Sequence, residues 1–383
     1  MEKRKKILII TNLFPTEWDK QRGMFNCQQF EQLSAFHDLV VLIPVPFFTY
    51  NRNVLHPTYK FSDKIEVRYV KFYYVPKLFR FLHGISLYLS MKDELSKAKS
   101  KCYDLVIGSW AFPDGYAAIK FAKSLRIPCI IKVHGSDINE FTKEYVRRYF
   151  IKHVLNAAKN IVSVSCDLKN RMLELGVDQN KIHVIYNGLN DDIFKYKDRM
   201  SSRDIIKLDR VTFTFLYVGN LKVSKGVVEL LNAFKKFIKI HDAKLYIIGD
   251  GDQRHWLEKD IIECDLSESV YLIGRRTLHE ISLYMSAVNV LLLPSYNEGV
   301  PNVLLEAKGC GLPVVATAVG GIPEITNDTD AVLVEKQNTE SLLNGMLEAY
   351  DKDWDHSLII KQSQQYSWEK NCEMLNQVIT NVG

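Results

Sequence analysis

Short apolar runs alternate with amphipathic stretches along the whole chain. In the first half the runs are ILII (7–10), LVVLIPV (39–45), DLVIGS (104–109), PCIIKVH (128–134) and NIVSVS (160–165). Each is brief, rich in β-branched residues and closed near Gly, Pro, Ser or His, which predicts a strand. Between them the spacing predicts helices over Cys27–Phe36, Gly115–Leu125 and Tyr145–Ala158. Runs that are apolar on both faces imply a parallel sheet covered by helices on each side. After residue 195 the pattern restarts. A polar stretch, Lys195–Arg210, reads as a linker. Then come FTFLYVGN (213–220), KLYIIGDG (244–251), VYLIG (270–274), VNVLLLPS (288–295) and PVVATAVGG (313–321), with helical runs at Val227–His241 and Leu278–Met285. The expected architecture is therefore α/β, with two doubly wound, Rossmann-like domains in tandem. Ligands bind such domains at the carboxyl ends of the strands, and a central cleft that the two domains face is the expected active site.

Composition narrows this picture little. With 383 residues, 47% hydrophobic and 25% charged, the chain is long enough for two cores and too apolar to be disordered. No apolar run reaches bilayer length. The opening MEKRKKILIITNLF resembles a signal peptide only superficially, since its apolar stretch is short and no small-residue cleavage site follows. Seven scattered cysteines without a C-x-x-C pair argue against a disulfide framework or a zinc site and point to a reducing cytoplasm. Charge is more informative. Residues 1–200 hold 32 Lys+Arg and 20 Asp+Glu, a balance of +12; the remainder holds 18 and 25, a balance of −7. The two halves are thus expected to meet different partners.

The richest stretch is PSYNEGVPNVLLEAKGCGLPVV (294–315). A buried strand runs into a Gly- and Pro-rich turn, and a short helix, Asn302–Lys308, follows with Pro301 near its start. Free N–H groups at such a start make a site for a diphosphate. Glu298 lies just outside the helix, and Glu306 lies along its flank. Carboxylates suit sugar hydroxyls because they accept from two at once. Two further parts accompany the pair. In YVGNLKVSKG (217–226) a strand ends at Gly219, and Lys225 opens a helix with a point charge for a phosphate. In AVGGIPEI (318–325) a Gly-Gly turn precedes another helix. Asp250-Gly251-Asp252 has the form of a metal-binding D-x-D but reads as a turn after a strand.

These residues carry a resemblance. EGVPNVLLE matches the E-x7-E motif of retaining glycosyltransferases of family 4, which have the GT-B fold. EAKGCGLPVVATAVGGIPEI, VGNLKVSKG, IIGDG, VIYNGLNDDIF and VHGSDIN are similar to the same family, over nearly the whole chain and most strongly in 211–326. The resemblance implies that Glu298 contacts the donor sugar, Glu306 the ribose and Lys225 the diphosphate. It implies that the backbone at Gly219 and across Gly299, Val300, Pro301 and Asn302 cradles phosphate, and that Arg275 sits where the base is held. Many members have arginine after the glycine of the VG motif; here that position is Asn220. In the first half, His134 of VHGSDIN corresponds to the histidine beside the reacting centre, with Asp137 as its neighbour. Gly23 matches a glycine of the phosphate and acceptor loop.

The implied enzyme is a hexosyltransferase-type glycosyltransferase. It moves a sugar with retention from a nucleotide-sugar, UDP-sugar favoured over GDP-sugar, to a saccharide or lipid-linked saccharide in polysaccharide or glycoconjugate biosynthesis of the bacterial surface type. No cofactor and no metal are expected, because a lysine and a helix start neutralise the phosphates. The alternatives are a nucleotide-sugar 2-epimerase-like enzyme on the same architecture and a non-catalytic donor-binding subunit. The expected division is 1–195 for acceptor binding, 196–360 for donor binding and 361–383 as a helix packing back toward the first domain. Stretches such as PFFTYNRNVLHPTYK, VRYVKFYYVPKLFRFLHGISLYL and YVRRYFIKHVL interleave aromatics with Lys and Arg. They suggest peripheral contact of a cytoplasmic protein with an anionic membrane, at its inner face. No nucleic-acid motif is present.

Overall fold

The computed structural model describes residues 3–16, 19–20, 22–50, 62–76 and 78–382. The aromatic and basic stretch PFFTYNRNVLHPTYK, expected at a membrane surface, lies outside the described residues from position 51 onward. The chain forms two compact units: Met1–Gly188 with Trp368–Gly383, and Leu189–Ser367.

The first unit is built on seven parallel strands, β1 (Lys6–Ile10), β2 (Asp38–Pro46), β3 (Ile65–Phe72), β4 (Leu105–Ser109), β5 (Cys129–Val133), β6 (Asn160–Ser163) and β7 (Ile182–Val184), in the order β3-β2-β1-β4-β5-β6-β7. Strand β1 shows why its run is apolar throughout. Leu8 and Ile10 enter a core with Val106, Leu87 and Ile131, whereas Ile7 and Ile9 enter the core on the other face with Phe30 and Ile107. That second core is completed by the last helix, Trp368–Thr380, through Cys372, Leu375 and Ile379. Each such side chain removed from water contributes about 1.5–3 kcal/mol before entropic costs.

The second unit repeats the plan with six parallel strands, β8 (Phe213–Val218), β9 (Ala243–Ile248), β10 (Val270–Gly274), β11 (Val290–Leu293), β12 (Val314–Thr317) and β13 (Ala331–Val334), in the order β10-β9-β8-β11-β12-β13. In each sheet the strand order reverses once, beside β1 and β4 in the first and beside β8 and β11 in the second. A crevice for ligands opens at the carboxyl ends of such strands.

One expectation is corrected. Lys195–Arg210 is not a linker. It holds the helix Arg199–Ile206, and Arg203 on that helix is buried. Its guanidinium donates to the carbonyls of Ala287, Asp209 and Thr212, to Thr214 Oγ1 and to Asn289 Oδ1. The charged composition suggested solvent, but every donor direction of this cation is met inside the unit. VRYVKF forms most of β3, an edge strand whose alternation of polar and apolar residues suits one open side.

Candidate functional site

In the second unit three loops meet at the carboxyl ends of the strands, and backbone contacts weld them. Beyond β8 lie Gly219, Asn220 and a short 3-10 turn, Val223–Lys225. Gly226 then starts the helix Val227–Phe237, so close to the end of β11 that a Cβ there would stand 2.0 Å from the Pro294 carbonyl oxygen. Tyr296 N–H donates to the Ser224 carbonyl at 2.9 Å, and Tyr296 OH donates to the carboxylate of Glu229 at 2.8 and 2.9 Å. The Gly-Gly turn after β12 closes on the same loop. Gly320 has φ +55°, and a Cβ there would lie 2.0 Å from the Glu298 carbonyl oxygen; Gly321 N–H donates to the Gly299 carbonyl at 2.7 Å. Only glycine combines that φ with that approach.

This frame brings Lys225 and Glu298 together across 73 positions of sequence, with Nζ 2.6 Å from Oε1. Glu298 is only 11% exposed and Lys225 29%. Val300 and Pro301 are buried, and Pro301 caps the helix Asn302–Gly309 without a side-chain hydrogen bond. The helix Val227–Phe237 likewise begins without a side-chain cap, whereas Leu278–Ala287, away from these loops, has a full capping box from Thr277 and Glu280. The cap residues of these two starts thus supply no side-chain acceptor to the first N–H groups. Glu306 is half-buried, and its carboxylate accepts no hydrogen bond among the described residues; loss of water pushes it up to about 7. On the same helix Lys308 is buried, with Nζ 2.8 Å from Asp330 Oδ2 and donating to the Ile325 carbonyl at 2.6 Å.

The remaining positions are more open. Asn220 is exposed, and its carbonyl accepts from Tyr217 OH at 2.9 Å. Arg275 is exposed after β10, with Nε 4.0 Å from Asp250 Oδ2. Asp250 Oδ1 accepts from Gly251 N–H, within a turn after β9. Among the described residues, no group of three or more His, Cys, Asp or Glu is placed to hold a metal ion.

In the first unit His134 follows β5, and the geometry fixes its proton. Ser109 Oγ, at the end of β4, donates to Asn26 Oδ1 at 3.1 Å, while Asn26 Nδ2 donates to the Leu13 carbonyl at 2.9 Å. The hydroxyl proton being committed, His134 Nε2 at 2.9 Å must be the donor to Ser109, and Nδ1 carries the lone pair. That Nδ1 is enclosed and has no partner among the described residues. Burial and then the ammonium of Lys132 hold His134 well below the ordinary imidazole value, so the ring is neutral. Phe25 packs on it, with ring centroids 4.9 Å apart. Asp137 is fully buried and accepts from the N–H groups of His134, Gly135 and Ala111, which makes it the brace of this loop. Gly23 begins the helix Met24–Leu33 and lies against the Leu13 carbonyl. Ser109, Asn26 and Tyr296 were not singled out in the sequence. The signal for Ser109 was its place at the end of the strand where the sheet order reverses.

Comparison with known proteins follows the same division. The model of the family "Glycosyl transferases group 1" matches residues 198–372, and that of "Glycosyltransferase Family 4" matches residues 32–193. The chain is 31% identical over 321 residues to an uncharacterized glycosyltransferase of Methanocaldococcus jannaschii, covering 82% of this chain and 85% of that one. It is 27% identical over 356 residues to the putative teichuronic acid biosynthesis glycosyltransferase TuaC of Bacillus subtilis, covering 88% and 87%. The structure of HepE of Anabaena in complex with UDP-glucose superimposes with a TM-score of 0.78 at 17% identity, over 99% of this chain and 100% of that one, a likeness of fold.

Proposed function

The chain belongs to the glycosyltransferases of group 1 and family 4, with the two doubly wound sheets of the GT-B fold, and we propose that it transfers a sugar from a nucleotide-sugar, with retention at the anomeric carbon. The observation that carries this reading is the Lys225–Glu298 pair beside an uncapped helix start, where the order of the second sheet reverses. Lys225 and the amides at Asn302–Gly309 stabilise the charge that develops on the departing diphosphate. Glu298, held against Lys225, is turned over to hydroxyls of the donor sugar when phosphate takes the ammonium. Glu306, whose carboxylate accepts no hydrogen bond among the described residues, accepts from the ribose hydroxyls. The acceptor hydroxyl attacks from the face that the diphosphate leaves, and no metal is needed.

A UDP-sugar is favoured as donor, supported by the UDP-glucose bound to HepE, which shares the fold. The acceptor is a saccharide or lipid-linked saccharide of polysaccharide assembly, carried at an anionic membrane; the name of the TuaC relative supports the polysaccharide part. The test is thermal stabilisation of the protein by a panel of UDP-, GDP- and ADP-sugars, with and without EDTA. A shift with UDP-sugars that persists in EDTA is expected. A shift abolished by EDTA overturns the metal-free site, and an inverted anomer in the product by NMR overturns retention.

A further inference from the structure

The first unit carries an apolar face that its core does not use. It is formed where β2 and β3 end and the helix His83–Ser90 begins. Phe47, Tyr73, Val75, Leu78 and Phe79 are each 45–61% exposed, and they line one groove, which shares Tyr73, Leu82 and Ser86 with an adjoining one. Ordinary surfaces scatter such side chains singly, and a contiguous set marks an interaction site. The rings are ordered among themselves: Phe47 stacks on Tyr73 with centroids 5.7 Å apart, and Phe48 lies edge-on to Phe47 at 5.4 Å.

The rim of this face is cationic. Arg80 is exposed beside Phe79, and it meets the start of the helix Tyr145–Ala157, whose Arg147 shares its field at His83. On that helix Tyr145, Arg148, Tyr149 and Lys152 follow at spacings of three, one and three, and so share one outward stripe. Tyr145 is 87% exposed, Tyr149 is 68% exposed, and both cations are exposed. The acids nearby are few. Glu144 is paired with Arg147, and Asp93 lies at the far groove beside Lys92. Aromatic rings interleaved with Arg and Lys suit a surface that is apolar below and anionic above.

We propose that this face docks on an anionic lipid bilayer, with Phe47, Tyr73, Val75, Leu78 and Phe79 entering the headgroup boundary and Arg80, Arg148 and Lys152 meeting lipid phosphates. This rests on the reading that the acceptor is carried at a membrane. The helices among the described residues are too short or too polar to cross one, so the contact is peripheral.

The test is co-sedimentation of the full chain with phosphatidylcholine vesicles, with and without phosphatidylglycerol. Binding is expected with the anionic vesicles, weakening with salt. The double variant Leu78→Ser, Phe79→Asn should reduce partitioning about tenfold. Asn is chosen because Phe79 has φ 48°, which asparagine tolerates. Arg148→Glu with Lys152→Glu should give a similar loss. Ile262→Ser, an exposed apolar position in the second unit, should change nothing. Melting curves confirm that each variant is folded. Equal binding to neutral vesicles, or wild-type binding by both double variants, overturns the proposal. A dimer in light scattering that the Leu78/Phe79 variant dissociates assigns the face to a second copy instead. Donor-sugar binding and transfer to a soluble acceptor are measured on the same proteins. Transfer without vesicle binding sinks the docking face alone, and vesicle binding without any transfer sinks the transferase reading alone.

Discussion

Glu306 offers the most quantitative test of the donor site. Its carboxyl is pushed up to about 7 by burial, with no hydrogen bond among the described residues to hold the anion. A ribose diol that donates to both oxygens favours the charged form and should return the group to the ordinary range near 4.5. Binding therefore competes with protonation. From pH 8 to pH 6 the affinity for a nucleotide-sugar should fall about tenfold, since below its free pKa the site loses a factor of about ten per pH unit. At pH 7 about half a proton should be released per donor bound. The assay is isothermal titration calorimetry in buffers of different ionisation enthalpy. An intact nucleotide-sugar is used because the terminal phosphate of a free nucleoside diphosphate titrates near 6 itself. Lys132 and Asp114 also titrate near 7 in the first unit, so the comparison with Glu306→Gln isolates the group. That variant should bind about 10–100-fold more weakly at pH 8 and lose most of the slope. Flat affinity between pH 6 and 8 in the native protein, or proton uptake on binding, would refute the reasoning.

Lys225→Ala should weaken donor binding about 10–100-fold, as expected for loss of a charge-assisted contact to the diphosphate, and calorimetry with the same donor measures it. Gly320→Ala should destabilise the second unit by about 2–4 kcal/mol in urea unfolding, because its Cβ would be driven into the Glu298 carbonyl at a positive φ; transfer activity should fall with it, since that carbonyl belongs to the loop proposed to hold the donor. Arg203→Leu should cost about 3 kcal/mol or more in the same assay, five hydrogen bonds to the guanidinium being lost.

Most of the sheet framework was legible in the residues, and the reason is burial. Strands such as β1, β5 and β11 are covered on both faces, so their apolar runs are continuous and cannot be mistaken. Strands β3, β7 and β13 escaped. The first is an edge strand that alternates Glu, Arg and Lys with apolar residues, the second has three residues, and the third is a four-residue AVLV. Arg203 and Lys308 escaped for a different reason. Composition counts charge as exposed, and only the fold reveals that a carbonyl cage or an aspartate meets it. At the candidate site Glu298, Glu306 and Lys225 could be named from motif and strand ends, but the 2.6 Å pairing of Lys225 with Glu298 could not. That pairing depends on backbone approaches at Gly226 and Gly320, which join segments far apart in sequence. The Nε2–H tautomer of His134 was equally out of reach, because Ser109 and Asn26 set it from two other elements.

The last helix, Trp368–Thr380, belongs to the unit that the chain begins. During synthesis the ribosome makes that unit's seven strands first and its closing helix last. The second unit, one continuous stretch from Leu189 to Ser367, is complete before then. Until residue 380 emerges, the face of the first unit that holds Phe30 and Ile9 lacks Leu375 and Ile379 and stands open to water. A stop before Leu375 therefore leaves its defect in segments made much earlier: an intact second unit joined to a first unit with an unsealed core, ready for capture by chaperones.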